Sequence, residues 1–185
     1  MAILKIARMG HPVLSTAAKP VANPAAPEIR KLVADMIETM NDANGAGLAA
    51  PQVHVPLRVI VFAAPEGRSE PNLNEQERFD HIAPLTVLIN PEMEIMDQTR
   101  ESMWEGCLSV PEMRGWVERA GHIRYRGFDL EGRKITRTAR GFHARVVQHE
   151  CDHLKGVLYP YCMKDHTKLM FESEVHHWLK PAADK

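Results

Sequence analysis

A chain of 185 residues that is 44% hydrophobic and 25% charged has the composition of a folded globular protein near the size of one domain, able to bury about 70% of its unfolded surface. Its formal net charge of -1 supplies no field for binding nucleic acid or an anionic membrane non-specifically. Three cysteines, Cys107, Cys151 and Cys162, are too few and too scattered for a disulfide framework, and no apolar run approaches the roughly 18 residues of a membrane span. The opening MAILKIARMG lacks the charged-then-apolar pattern of a secretion signal, so a cytoplasmic protein is expected.

In chain order, Ile29, Leu32, Val33, Met36, Ile37 and Met40 recur at helical spacing and predict an amphipathic helix over 27–41. It should stop at Asn44-Gly45, where turn formers take over. The apolar run Leu57–Phe62 predicts a strand. Residues 64–84, rich in Glu, Asn, Arg and Pro without a period, read as a long surface loop.

Further strands are expected over 85–89, ended by Asn90-Pro91, and over 116–119, 123–129 and 134–138. The last two would be joined by a hairpin at Leu130-Glu131-Gly132. Gly141 precedes a predicted helix over 142–155, with Gly156 just past its end. A last helix is expected over 165–180, with a loose apolar face of Leu169, Phe171, Val175, Trp178 and Leu179. Strands with separate helices predict an α+β fold in one domain over 1–185. Its mixed or antiparallel strands would pack around the 142–155 helix, with an N-terminal and a C-terminal helix besides.

Chemistry concentrates in Gln148-His149-Glu150-Cys151-Asp152-His153, which contains H-E-x-x-H. On a helix, residues four apart share a face, so His149 and His153 can bind one ion. Glu150 lies about 100° around, within reach of a bound water. The ion would lower the pKa of that water and the carboxylate would take its proton. The bland alternative is a surface helix with two unrelated histidines in a chain that has ten. A catalytic site needs a third protein ligand and an open position. Cys151 points roughly 200° away from His149 and reads as a small buried thiol. Cys162 lies beyond Gly156 and Pro160, and spacing does not eliminate it. Cys107 follows Gly106 in Glu105-Gly106-Cys107-Leu108-Ser109, where the glycine permits close backbone approach; ligand and core thiol both stay open for it. Gly45-Ala46-Gly47-Leu48-Ala49-Ala50-Pro51-Gln52 reads either as a helix end with a tight turn or as a backbone that a ligand can approach, with Gln52 as an uncharged donor and acceptor.

Taken in this order, Gly45–Gln52 (G-φ-G-L-A-A-x-Q, with alanine at φ), Glu105–Ser109 (E-G-C-L-S) and Gln148–Gly156 (Q-H-E-x-D-H-L-x-G) resemble the three signatures of the peptide deformylase family. The similarity runs from about Pro12 to Tyr159. The resemblance implies hydrolysis of the N-terminal formyl group of formyl-methionyl nascent peptides. It implies Cys107, His149 and His153 as ligands of one divalent metal ion, Fe2+ in the cell with Zn2+ or Ni2+ as replacements. It also implies Glu150 as base and then acid, with Gln52 and the backbone N–H of Leu108 stabilising the oxyanion. The peptide would lie extended beside Ala46 and Gly47, near Gly106, as an added strand. Met103, Phe142 and Val146 are the candidates to line a pocket for the methionine side chain, each equally open to plain core packing.

Asp152 is expected to orient a ligand histidine or to pair with an arginine such as Arg119. In some relatives a basic C-terminal helix docks on the ribosome. Here Lys164, Lys168 and Lys180 alternate with Asp165, Glu172 and Glu174, which leaves that partner a hypothesis. No membrane and no specific nucleic acid is expected as a partner. The nearest rival is a zinc metallopeptidase using the same helix, with a downstream ligand such as His166 or Glu172. A purely structural metal site is the non-catalytic one.

Overall fold

The computed structural model describes residues 2–69 and 73–179. Helix α1, Pro27–Asp42, begins with proline at its first turn, where the missing N–H costs nothing. It buries Ile29, Val33, Met36 and Met40, the stripe that the spacing predicts. A short strand β1, Gly47–Ala49, follows, then a 3-10 turn over Ala50–Val53 and strand β2, Val59–Ala64.

Strand β2 explains its own sequence. Val59 and Val61 pack with Leu48 and Ile89 beneath α1. Ile60 and Phe62 pack on the opposite face with Tyr125, Val147 and Leu154. A strand covered on both faces has to be apolar at every position, hence the unbroken run.

Residues 64–84 are not all loop. Helix α2, Glu75–His81, interrupts them. Its start is a reciprocal cap: Glu77 N–H donates to Asn74 Oδ1 at 3.0 Å and Asn74 N–H to Glu77 Oε2 at 2.9 Å. Strand β3, Ala83–Ile95, runs through the expected stop at Asn90-Pro91. Asn90 takes a left-handed φ of 51°, and the pairing register shifts between Ile89 and Glu92. Its side-chain amide exchanges two hydrogen bonds with the Val21 backbone, at 2.8 and 2.9 Å. The strand therefore bulges and resumes.

Strand β4, Arg100–Cys107, has no counterpart among the predicted strands. It pairs with β5, Val110–Ala120, which is longer than the expected 116–119. Strands β6, His122–Phe128, and β7, Lys134–Arg140, form the expected hairpin. Helix α3, Gly141–His153, comes next. The expected single helix over 165–180 is instead a 3-10 turn at His166–Lys168, a strand β8 at Leu169–Phe171 and a 3-10 helix at Glu172–Trp178. Extended pairing of β8 with Met113–Gly115 of β5 supplies hydrogen bonds that a helix there would forgo. Lys180, the last predicted helical position, lies outside the described residues.

The strands form two sheets, β1-β2-β3-β6-β7 and β4-β5-β8, and every strand pair is antiparallel. The fold is thus α+β, with α3 touching strands of both sheets. Gln148 fixes the helix to the end of β5: its amide donates to the Ala120 carbonyl at 2.9 Å and accepts the Ala120 N–H at 3.0 Å. Among the described residues, no helix is long and apolar enough to cross a membrane.

Candidate metal centre and active site

Helical spacing sets His149 and His153 on one face of α3, with ring centroids 5.0 Å apart. Strand β4 ends at Cys107 and brings its Sγ to 3.3 Å from His153 Nε2. One ligand atom from each of Cys107, His149 and His153 lies within 4.8 Å of the other two. Two imidazoles and a thiol at this spacing fit a divalent metal. Neither His166 nor Glu172, the downstream alternatives, belongs to this group. Cys151 is buried, and burial pushes its thiol up to about 12, as suits an inert core residue. Cys162 lies instead 3.6 Å from Asp152 Oδ2.

The carboxylate that orients this cluster is Glu105, which the sequence reading passed over. It is 5% exposed. Oε2 accepts from His149 Nδ1 at 3.0 Å and from Arg119 Nη2 at 3.0 Å. Oε1 accepts from Arg119 Nε at 2.9 Å and from Arg145 Nη1 at 2.6 Å. Burial alone would raise this carboxyl, but the hydrogen bonds from His149 and Arg119 outweigh it and hold the group well below its ordinary range. With Nδ1 engaged, His149 has Nε2 left for a ligand role. Arg119 also reaches Asp152, so of the two expected partners Asp152 takes the arginine.

Burial opposes a charged His149, yet the Cys107 thiol and Glu105 carboxylate beside it raise its proton affinity well above the ordinary value. His153 goes the other way, held far below its ordinary value by burial and by His149. Glu150 is 4% exposed, its Oε2 has no hydrogen-bond partner among the described residues, and burial pushes its pKa up to about 7. It can stand where it does because residue 47 is glycine: a Cβ there would sit 2.3 Å from Glu150 Oε1.

Gln52 is buried, and its amide orientation is fixed. Oε1 accepts the Ala49 N–H at 2.8 Å, which turns Nε2 toward Ser109 Oγ at 3.2 Å and Cys107 Sγ at 3.5 Å. A cavity of about 450 Å³ opens onto these groups, and Gln52, Cys107, Leu108, His149 and Glu150 all line it. So do Ala46, Gly47, Gly106, Phe142 and Val146. Met103 does not. On β4 it shares a face with Glu105 but lies two residues further from Cys107, and it is 41% exposed. Trp104 and Arg145 border the cavity instead.

A largely enclosed two-histidine, one-cysteine cluster, with a buried carboxylate on the same helix whose Oε2 has no partner among the described residues, defines an H-E-x-x-H metallohydrolase on an α+β scaffold. The family described as Polypeptide deformylase matches residues 3–169. Peptide deformylase 1 of Bordetella pertussis is 46% identical over 179 residues, covering 97% of this chain and 98% of that protein. Among solved structures, peptide deformylase from Ehrlichia chaffeensis superposes with a TM-score of 0.81 at 33% identity, covering 90% of this chain and 91% of that one. The same enzyme in complex with actinonin gives 0.79 at 33% identity, with coverage of 91% and 92%. The chain belongs to the polypeptide deformylase family.

Proposed function

We propose that this chain hydrolyses the formyl group from N-formylmethionyl nascent peptides, releasing formate and a free amino terminus, and that Cys107, His149 and His153 hold the divalent metal. The observation that carries the reading is the meeting of Gln52, Cys107, His149 and Glu150, from three distant segments, on one cavity. Two imidazoles and a thiolate suit ferrous iron, which we take as the cellular ion, with zinc or nickel as replacements. A metal bound there would make water nucleophilic at neutral pH.

The chain's own groups do the rest. Glu150 takes the proton of the attacking water and returns it to the departing amine nitrogen. The Gln52 amide and the Leu108 N–H donate to the formyl oxygen as its carbon becomes tetrahedral. Strand β1 stands at the edge of its sheet, so a peptide can add beside Ala46 and Gly47 through main-chain bonds, with Gly106 also lining the cavity. Phe142 and Val146 receive the methionine side chain. A cytoplasmic site of action fits this substrate.

Ribosome docking is supported less well. Lys164 is paired with Glu118 at 2.7 Å and Lys168 lies 5.8 Å from the Trp116 ring, so neither cation stands free. A chain truncated after His166 that still co-sediments with ribosomes as the full chain does would remove that reading.

The deciding experiment loads the protein with metal anaerobically, measures the ion, and compares deformylation of formyl-Met-Ala-Ser with cleavage of casein. Formate release that vanishes in Glu150→Ala, with the ion retained, is expected. Casein cleavage without formate release would instead make the protein an endopeptidase. Actinonin should inhibit the formate release.

A further inference from the structure

Glu172 stands outside the Cys107, His149 and His153 group, yet it lines the same cavity. Strand β8 carries it there. In the β5–β8 register Met170 lies opposite Arg114, and Glu172, two residues further on, forms an ion pair with the Arg114 guanidinium. That guanidinium lies over Gly106, where an added Cβ would collide with its Nη1 and Cζ. Arg114 and Gly106 line the cavity as well, so the pair sits on its wall next to the residue that precedes Cys107. The two side chains are 35% and 57% exposed. An ion pair this open to water adds little to folding, so stability gives no reason for a carboxylate at 172.

The surrounding charges do not replace it. Arg145 is paired with Glu105, and Arg68 and Glu112 add one charge of each sign to the cavity lining. Without Glu172, Arg114 would have no anionic partner among the described residues. We infer that Glu172 is a specificity-determining residue: it cancels the Arg114 charge on the cavity wall, so that acidic and basic residues after the formylated one are accepted alike. The inference rests on the deformylase reading of the same cavity. Unopposed, the Arg114 cation would attract carboxylates in the incoming chain and repel ammonium groups. No direct contact is needed, because exposed charges act on one another over about 10 Å at 0.1 M salt. An extended peptide advances only about 3.4 Å per residue, which keeps its second and third residues within that range of the cavity.

The test uses the metal-loaded protein in low salt and formyl-methionyl tripeptides with amidated C-termini. Asp, Lys or the neutral reference Asn occupies the second position or the third, with alanine at the other. Wild type is expected to hold kcat/KM for Asp and Lys peptides within about two-fold of each other. Glu172→Gln should favour Asp over Lys by about five-fold at one position or both. Arg114→Gln leaves Glu172 unopposed and should reverse that order, while the double variant should restore parity. Both preferences should fade at about 1 M salt. A Glu172→Gln ratio that stays at the wild-type value, or moves toward Lys, overturns the inference. So does a wild type that itself separates Asp from Lys by more than about two-fold. Should Glu172→Gln not fold, Arg114→Gln decides, and no gain for Lys there overturns the inference. Formate release from none of the peptides would overturn the deformylase reading itself, and this inference with it.

Discussion

Replacing Glu105 with glutamine keeps the shape of the side chain and removes the charge on which three cationic or ligand groups converge. The carboxylate accepts four bonds, at 2.9 and 2.6 Å on Oε1 and 3.0 and 3.0 Å on Oε2. A glutamine NH2 in either position faces two donors. At the Oε1 site it meets Arg119 Nε and Arg145 Nη1. At the Oε2 site it meets Arg119 Nη2 and His149 Nδ1. Arg119 and Arg145 are 8% and 5% exposed, so their charges lose a partner without gaining water. Breaking a buried pair from one side costs about 3–5 kcal/mol. Arg119 retains Asp152, which argues for the lower figure, about 3 kcal/mol, a large part of a typical folding free energy.

Urea unfolding of the metal-free protein at pH 7 would read this loss. Competition with a chelator would read a second consequence. Once the Nδ1 contact is lost, the His149 tautomer is no longer fixed, and metal affinity should weaken about 10–100-fold. Because Glu105 is held below its ordinary value of 4.5, its contribution is complete above that pH and fades as the carboxylate protonates below it. A destabilisation under about 1 kcal/mol with unchanged metal affinity would falsify the assignment of Glu105 as the keystone of the cluster.

Gly47→Ala places a Cβ 2.3 Å from Glu150 Oε1 and should lower kcat about 100-fold with bound metal retained; activity within a few-fold of wild type would mean that Glu150 need not stand where it does. The base form of Glu150 is the working one, so kcat/KM should rise with pH through its pKa. Without metal, burial foremost and the neighbouring charges put that at about 7, up from 4.5, and a bound cation lowers it, so the acid limb should be centred between these values. A limb centred above pH 7, or one that persists in Glu150→Gln, contradicts the role. His143 is fully buried, 3.2 Å from the Tyr125 hydroxyl and 2.7 Å from the Asp80 carbonyl, and burial pushes its pKa from 6.5 down to about 4. Its contribution is whole above pH 6.5 and is lost as pH falls toward 4, amounting to about 3 kcal/mol. The stability difference between wild type and His143→Gln should shrink over that window, and a pH-independent difference would refute it.

Periodicity exposed the parts of this fold that are amphipathic or uniformly apolar: α1, β2, the β6–β7 hairpin and α3 with its two histidines. It failed where partners are distant or exposure is mixed. Strand β4 is largely exposed or half-buried along Arg100–Trp104, so it carries neither an apolar run nor a clean alternation. Helix α2 has Phe79 as its only large apolar residue, yet its Asn74-x-x-Glu77 cap stood in the sequence as a start signal. Cys107 could not be told from a core thiol until its neighbours were compared with a family signature. Glu105, first letter of that same signature, escaped because its partners lie 14, 40 and 44 residues away, and no local pattern encodes such a meeting. Met103 is close to Cys107 in sequence, which says nothing of how far along a strand a side chain falls from the cavity.

Strand β1 has three residues and, among the described residues, no strand on its outer side beside the cavity. An open edge of this kind can template pairing between copies, the first step toward aggregation. Three residues span only about 10 Å, too short to hold a second protein molecule by backbone bonds alone. The same brevity limits how much of an incoming chain the edge can contact, and main-chain bonds ignore side-chain identity. An enzyme that removes formyl groups from nascent peptides would gain generality from the same short edge that gives a second copy little to hold.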